Sequence, residues 1–138
     1  MMTDEKRLKS IYPENWKGVQ EGDMIEGLII ERGEIPTKKD PISYIDISTS
    51  ELKTRRINTG FAAIKKFEED NPLEIGGFLC LQYDGQMSLG ESERENKMRM
   101  YSAFYDPPVV VSKSKELKAT YGEKYPELFE QKTVVKKV

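Results

Sequence analysis

The chain has 138 residues, of which 37% are hydrophobic and 33% are charged, and its net charge is −2. That length is typical of one domain with its own core, and the charge excludes a uniformly basic nucleic-acid binder while allowing a locally basic face. The chain has no histidine and one cysteine, which excludes histidine-dependent catalytic triads, an intramolecular disulfide framework and zinc sites built on His or Cys.

The N-terminal segment MMTDEKRLKS has no apolar core, so we expect no signal peptide. No apolar run approaches the roughly 20 residues that span a bilayer. The sequence therefore predicts a cytoplasmic protein that has no membrane partner.

Residues 1–15 are predicted to form an N-terminal extension, and the segment YPENWKG is predicted to be a turn because Pro13 and Gly18 flank it. Trp16 is the only tryptophan in the chain. We expect it to cap one end of the core, and a platform for base stacking is the alternative.

Two strand-like runs follow. The first, Met24 to Ile30, is apolar on both faces, which indicates burial on both sides or strong curvature. Gly27 inside it indicates a bulge, a tight bend or close packing. The second run, Ile42 to Ser48, is predicted to turn Ile45 and Ile47 toward the core.

A third strand is predicted over ELKTRRI, residues 51–57, and two registers with opposite faces are compatible with it. Asn58 or Thr59 is then placed to cap a helix, which the pair Asn71-Pro72 ends. A fourth strand is predicted within EIGGFLCLQYDGQ, between a Gly-Gly pair and an Asp-Gly turn.

The fifth predicted strand runs from Lys97 to Tyr105 and ends at the sequence DPP. Period-two counting places alternate charged and aromatic residues on an outward face, and places Met98, Met100 and Phe104 on the other face. Residues 109–138 are predicted to form a C-terminal extension with a helix from Lys115 to Lys132, interrupted at Gly122 and Pro126.

The order strand, strand, strand, helix, strand, strand is that of the OB-fold. The segment GDMIEGLIIERGEIPTKKDPISYIDI resembles the opening of small OB-fold single-stranded DNA-binding proteins of phage or prophage type. IGGFLCLQYDGQ resembles their fourth strand, and NKMRMYSAFYDPP stands where their fifth strand is found. The resemblance covers about residues 16–106.

This resemblance implies a mainly β fold, with residues 16–108 forming a five-stranded Greek-key barrel. One helix would lie between strands three and four, and another would follow the barrel. The implied function is non-catalytic, sequence-tolerant binding of single-stranded DNA in replication, recombination or repair, inside a bacterial host if a phage encodes the chain. RNA as the ligand and a homo-oligomer are both left open, and no cofactor or metal is implied.

Cationic and aromatic residues supply the predicted contacts, since phosphates need positive charge and bases need aromatic faces. Residues 35–66 carry seven basic and three acidic side chains, and this block coincides with the groove that the resemblance implies. The predicted nucleic-acid-binding residues are Lys38, Lys39, Tyr44, Lys53, Arg55, Arg56, Lys97, Arg99, Tyr101 and Tyr105. The simpler interpretation is that these charged residues form a solvent-exposed face that binds no ligand.

The sequence leaves two alternatives to this function. The acidic loop that contains Glu91, Glu93 and Glu95 would repel a phosphate chain, and it favours an OB-fold protein-interaction module that binds no nucleic acid. The carboxylates otherwise stand in charge runs that look solvated, and the sequence has no glycine-rich phosphate loop. The sequence therefore predicts that the protein is not an enzyme.

Overall fold

One curled six-stranded sheet dominates the computed structural model, which describes residues 13–88 and 97–129. Its strands are β1 (Glu14–Trp16), β2 (Met24–Ile35), β3 (Ile42–Ser48), β4 (Thr54–Asn58), β5 (Phe78–Ser88) and β6 (Lys97–Asp106). The helices are α1 (Ala62–Asp70), α2 (Pro108–Val111) and α3 (Lys115–Tyr121), and a 3-10 turn, Pro126–Leu128, follows them. Among these described residues, no helix has both the length and the apolar character needed to cross a membrane.

The strands lie in the order β1-β4-β3-β2-β5-β6, which confirms the predicted mainly β class. All neighbours are antiparallel except β1 and β4, which are parallel. The long β2 strand pairs with β5 over residues 24–28 and with β3 over residues 28–35. Its pairing with β3 shifts register between Ile29 and Glu31, so the strand bends from one neighbour to the other.

Gly27 lies where the backbones of β2 and β3 come close together. A Cβ atom there would stand 2.4 Å from the backbone oxygen of Ser48. Close packing is therefore the reason for a glycine at this position, and the register shift lies further along the strand.

Two apolar cores lie on opposite faces of β2, which confirms the prediction of burial on both sides. The first core joins the sheet to Ile64 of α1, and Ile45 and Ile47 within it are 0% exposed, as predicted. The second joins Leu28 of β2 to the C-terminal elements, and it consists of Leu28, Val111, Tyr121 and Phe129.

Several predicted elements differ from those in the structure. The predicted turn YPENWKG contains strand β1. The third predicted strand starts at Thr54, because residues 49–53 form a turn closed by backbone hydrogen bonds. The C-terminal helix ends at Tyr121, which confirms the predicted interruption at Gly122, and residues 130–132 of its predicted span lie outside the described residues.

Candidate nucleic-acid interface

The predicted cationic residues lie in separate places. Lys53 and Arg55 border a cavity at one end of β4 that also contains Glu14 and Glu51. The Nε atom of Arg55 lies 3.7 Å from Oε1 of Glu14, and its Nη2 donates a long hydrogen bond of 3.5 Å to the carbonyl of Asn15. Arg55 therefore contacts strand β1, and carboxylates accompany both cations.

Arg56 is held rigidly on the outer face of β4, opposite the apolar face that carries Ile57. Its Nε and Nη2 atoms donate hydrogen bonds of 2.8 and 3.0 Å to the two oxygens of Asp46. These hydrogen bonds to a buried carboxylate raise the pKa of the Arg56 guanidinium. The guanidinium carbon also lies 3.8 Å from the ring centroid of Tyr44, so the guanidinium covers one face of this ring, and we call the pair the Tyr44 and Arg56 platform.

The two predicted loop lysines lie in the loop after the first predicted strand, as expected. Lys38 and Lys39 are both exposed in the loop between β2 and β3. Thr37 shapes this loop, since its hydroxyl donates to the carbonyl of Asp40 at 2.7 Å and accepts from the Lys39 amide at 3.0 Å. The lysine side chains are therefore available to a ligand that lies beside the loop.

A cavity of about 350 Å³ lies between β1, β3, β4 and the start of α1. Its lining combines aromatic rings, amides and cations, with apolar side chains at the base of the β2–β3 loop. We call it the aromatic pocket, and its lining residues are Asn15, Trp16, Lys17, Ile35, Ile42, Tyr44, Arg56, Asn58 and Phe61. Within the part of the chain that the structure describes, no carboxylate lines it.

A second concave region lies on the other side of the Tyr44 and Arg56 platform. It measures about 700 Å³, and its lining includes the carboxylates Glu31, Asp46 and Glu127. A polyanion would be repelled there, because two of these carboxylates lack a cationic partner among the described residues. The two cavities therefore differ in the sign of the charge that they present.

Arg99 and Tyr101 were predicted on an outward face of the fifth strand, and that placement was wrong. The Tyr101 hydroxyl donates to the carbonyl of Lys17 at 2.7 Å, and Nη2 of Arg99 donates to the same carbonyl at 2.8 Å and to that of Gly18. The Arg99 guanidinium lies 4.2 Å from the ring centroid of Tyr83. Both residues therefore attach the end of β1 to β6.

Tyr105 was also wrongly predicted to face outward. Its ring packs against the first core, and its hydroxyl accepts a hydrogen bond of 3.0 Å from the backbone amide of Glu74. Burial raises the pKa values of the Tyr101 and Tyr105 hydroxyls. Phe104, predicted to face inward, is 59% exposed. Lys97 begins β6, and its side chain lies outside what the structure describes.

Six pocket residues were missed as functional candidates: Asn15, Lys17, Ile35, Ile42, Asn58 and Phe61. The sequence predicts only a helix-capping role for Asn58. The usable signal was the segment ENWK, which places an amide, an indole and an ammonium group in succession. It was interpreted as a turn because proline and glycine flank it.

No family model matches the chain, and neither the curated proteins nor the solved structures contain a significant match to it.

Proposed function

We propose that this protein binds single-stranded nucleic acid without catalysis, and that the aromatic pocket holds one of the bases. The observation that carries the proposal is the composition of this pocket. Three rings, Trp16, Tyr44 and Phe61, line a cavity that also contains two cations and lacks a carboxylate among its described lining residues. Aromatic faces beside positive charge are what single strands require, since bases stack and phosphates need cations.

The strand order supports an OB-type barrel as the finer description of the fold. The five predicted strands are adjacent in the order β4-β3-β2-β5-β6, and β1 lies at the outer edge of β4. We infer that β1 closes the gap between β4 and β6, because Arg55 on one side and Arg99 on the other both bond to its backbone or to the residues just after it. The aromatic pocket then occupies the outer face of β3 and β4.

The platform formed by Tyr44 and Arg56 supplies a stacking surface within the pocket. One face of the Tyr44 ring is covered by the guanidinium, so a base would stack on the guanidinium plane or on the rings of Trp16 and Phe61. Asp46 holds Arg56 in place and offsets its charge. Lys17 is therefore the lining cation that lacks a carboxylate partner among the described residues.

The path of the strand follows from the charges around the pocket. Ile35 and Ile42 line the pocket at the two ends of the loop that carries Lys38 and Lys39. A phosphate chain would run from Lys17 toward this loop and away from the carboxylates on the other side of the platform. Lys53 and Arg55, at the other end of β4, would make no contact.

Titration with an oligothymidine at two salt concentrations tests the proposal, and Trp16 is a convenient reporter because it is the only tryptophan. We expect its fluorescence to change on binding. With Lys17, Lys38 and Lys39 as the phosphate contacts, the slope of log affinity against log salt should be about −2. Absence of binding even at low salt would reject the proposal.

One matched pair of variants and one single variant locate the contact. Lys17→Gln should weaken binding and flatten the salt slope by about 0.7, whereas Lys53→Gln should leave both unchanged. Phe61→Leu keeps an apolar group against the core and removes the aromatic face, so affinity should fall by at least about fivefold. A circular dichroism spectrum of each variant that matches the wild-type spectrum would show that the fold is retained.

A protein-interaction module without nucleic-acid affinity is the competing function, and exposed apolar side chains favour it. Val19, Phe104 and Val109 are 84%, 59% and 60% exposed. That function predicts a stable oligomer or a co-purifying partner together with unchanged Trp16 fluorescence in the titration.

A further inference from the structure

We propose that Gly33 is a positioning residue for the aromatic pocket, because the space left by its missing side chain lets the Tyr44 ring lie across β2. This inference rests on the proposed function and adds to it a residue that is not itself part of the pocket lining. It follows from what occupies the space beside this glycine.

Gly33 stands within strand β2, where glycine is one of the least favourable residues. Neither of the common backbone reasons for a glycine applies to it. Its φ angle lies outside the left-handed region, and β2 pairs with β3 from Glu31 to Ile35 without a change of register. The backbone at this position would therefore accept a residue with a side chain.

The space beside Gly33 is filled by the side chain of Tyr44, which is its register partner on β3. A Cβ atom at residue 33 would stand 2.8 Å from the Tyr44 hydroxyl oxygen and 3.1 Å from Cζ. Gly33 is half-buried although its neighbours Arg32 and Glu34 are exposed, as expected for a residue that a ring covers. Any other residue at position 33 would therefore displace the end of this ring.

Arg56 restrains the same ring at one face. Its guanidinium carbon lies 3.8 Å from the ring centroid, and its nitrogens are bonded to Asp46, which is 5% exposed. Tyr44 and Arg56 line both the aromatic pocket and the acidic region beyond it. A shift of the ring therefore changes the platform on which a base would stack.

The test measures oligothymidine affinity by Trp16 fluorescence for Gly33→Ala and Gly33→Val. Stacking of one base contributes about 5- to 150-fold to affinity, and a displaced platform loses part of this contribution. We expect Gly33→Ala to weaken binding roughly threefold and Gly33→Val roughly tenfold. The salt slope should keep its wild-type value in both variants, because Lys17, Lys38 and Lys39 are unchanged.

Tyr44→Phe is the decisive control. It keeps the ring and removes the hydroxyl oxygen that stands nearest to the added Cβ. The double variant should therefore recover most of the affinity that Gly33→Ala loses, and Tyr44→Phe alone should bind within about twofold of the wild-type protein. The urea midpoint of Gly33→Ala should stay close to the wild-type value, because the end of a side chain can yield to the added atom.

Unchanged affinity in both Gly33 variants would overturn this inference and leave the proposed function standing. A loss of affinity that Tyr44→Phe does not recover would do the same, since the glycine would then act on the backbone of β2 and not on the ring. Failure of the wild-type protein to bind the oligothymidine would reject the proposed function, and this inference with it.

Discussion

Replacing Arg99 with methionine separates a structural role from a nucleic-acid contact at this position. Methionine keeps much of the length and apolar volume of the arginine stem and removes its donors. In the structure, the guanidinium bonds to the carbonyls of Lys17 and Gly18, and it also lies 4.2 Å from the ring centroid of Tyr83. The change therefore removes two hydrogen bonds between β6 and the residues that follow β1, and one contact between β6 and Tyr83 of β5.

The expected loss of stability can be worked from these contacts. A hydrogen bond from a charged donor contributes about 1.5–3 kcal/mol, and a partly exposed cation–π contact contributes about 0.5–1 kcal/mol. The Tyr101 hydroxyl still donates to the Lys17 carbonyl in the variant, so the carbonyl of Gly18 is the one that loses its side-chain donor. We expect Arg99→Met to lower the free energy of unfolding by about 2–4 kcal/mol.

Urea denaturation measures this change, and Trp16 emission reports on the attachment of β1. Arg55→Met is the matched control, because Arg55 holds β1 from the other side through a contact of 3.7 Å to Glu14, whose side chain is 80% exposed. Arg55→Met should lower the free energy of unfolding by less than about 1 kcal/mol. A cost below about 0.5 kcal/mol for Arg99→Met, with wild-type Trp16 emission, would refute this account.

Three further changes test the fold. Gly27→Ala should destabilise the protein by about 3 kcal/mol or more in urea denaturation, because its Cβ would stand 2.4 Å from the Ser48 oxygen. Gly22→Ala is the control, since residue 22 has a φ of 98° and no atom within 4 Å of the added Cβ, and it should cost only about 1 kcal/mol. Leu28→Ala, at a site 0% exposed in the second core, should cost about 2–5 kcal/mol by the same assay and loosen the packing of Val111 and Tyr121. Burial raises the pKa of the Tyr121 hydroxyl from 10.0 to about 12, so the unfolded chain loses this proton first and the free energy of unfolding falls as pH rises from 10 to 12. Urea denaturation at a series of pH values should show that Tyr121→Phe loses about 2 kcal/mol less stability than the wild-type protein over this range. Equal losses in the two proteins would contradict the burial of this hydroxyl.

The strands with clear alternation were predictable from the sequence. Strand β3 has the predicted bounds, Ile42–Ser48, because two buried isoleucines alternate with outward side chains there. Strand β1 was missed because three residues are too few to show a period and because its partner, β4, lies some 40 positions further along the chain. Pairing between such distant segments leaves no local pattern.

The faces of β6 could not be predicted from the polarity of its residues. Tyr101 and Tyr105 are amphipathic, and each buries its ring against the first core while its hydroxyl bonds to backbone. Phe104 ranks as more apolar and is nevertheless exposed. One face of β6 packs against the first core through Tyr101, Ala103 and Tyr105, and period-two counting alone does not show which of the two faces is covered.

The charges of the candidate site show why the net charge of a sequence segment does not predict how many of its cations can contact a ligand. The basic block of residues 35–66 includes Arg55 and Arg56, yet Arg55 pairs with Glu14 from outside the block and Arg56 pairs with Asp46 from within it. Seven cations were predicted to contact phosphates, which would give a salt slope of about −5, whereas the three lysines near the aromatic pocket give about −2. The measured slope therefore distinguishes a cationic band along the sheet from a local pocket in which aromatic rings supply most of the affinity.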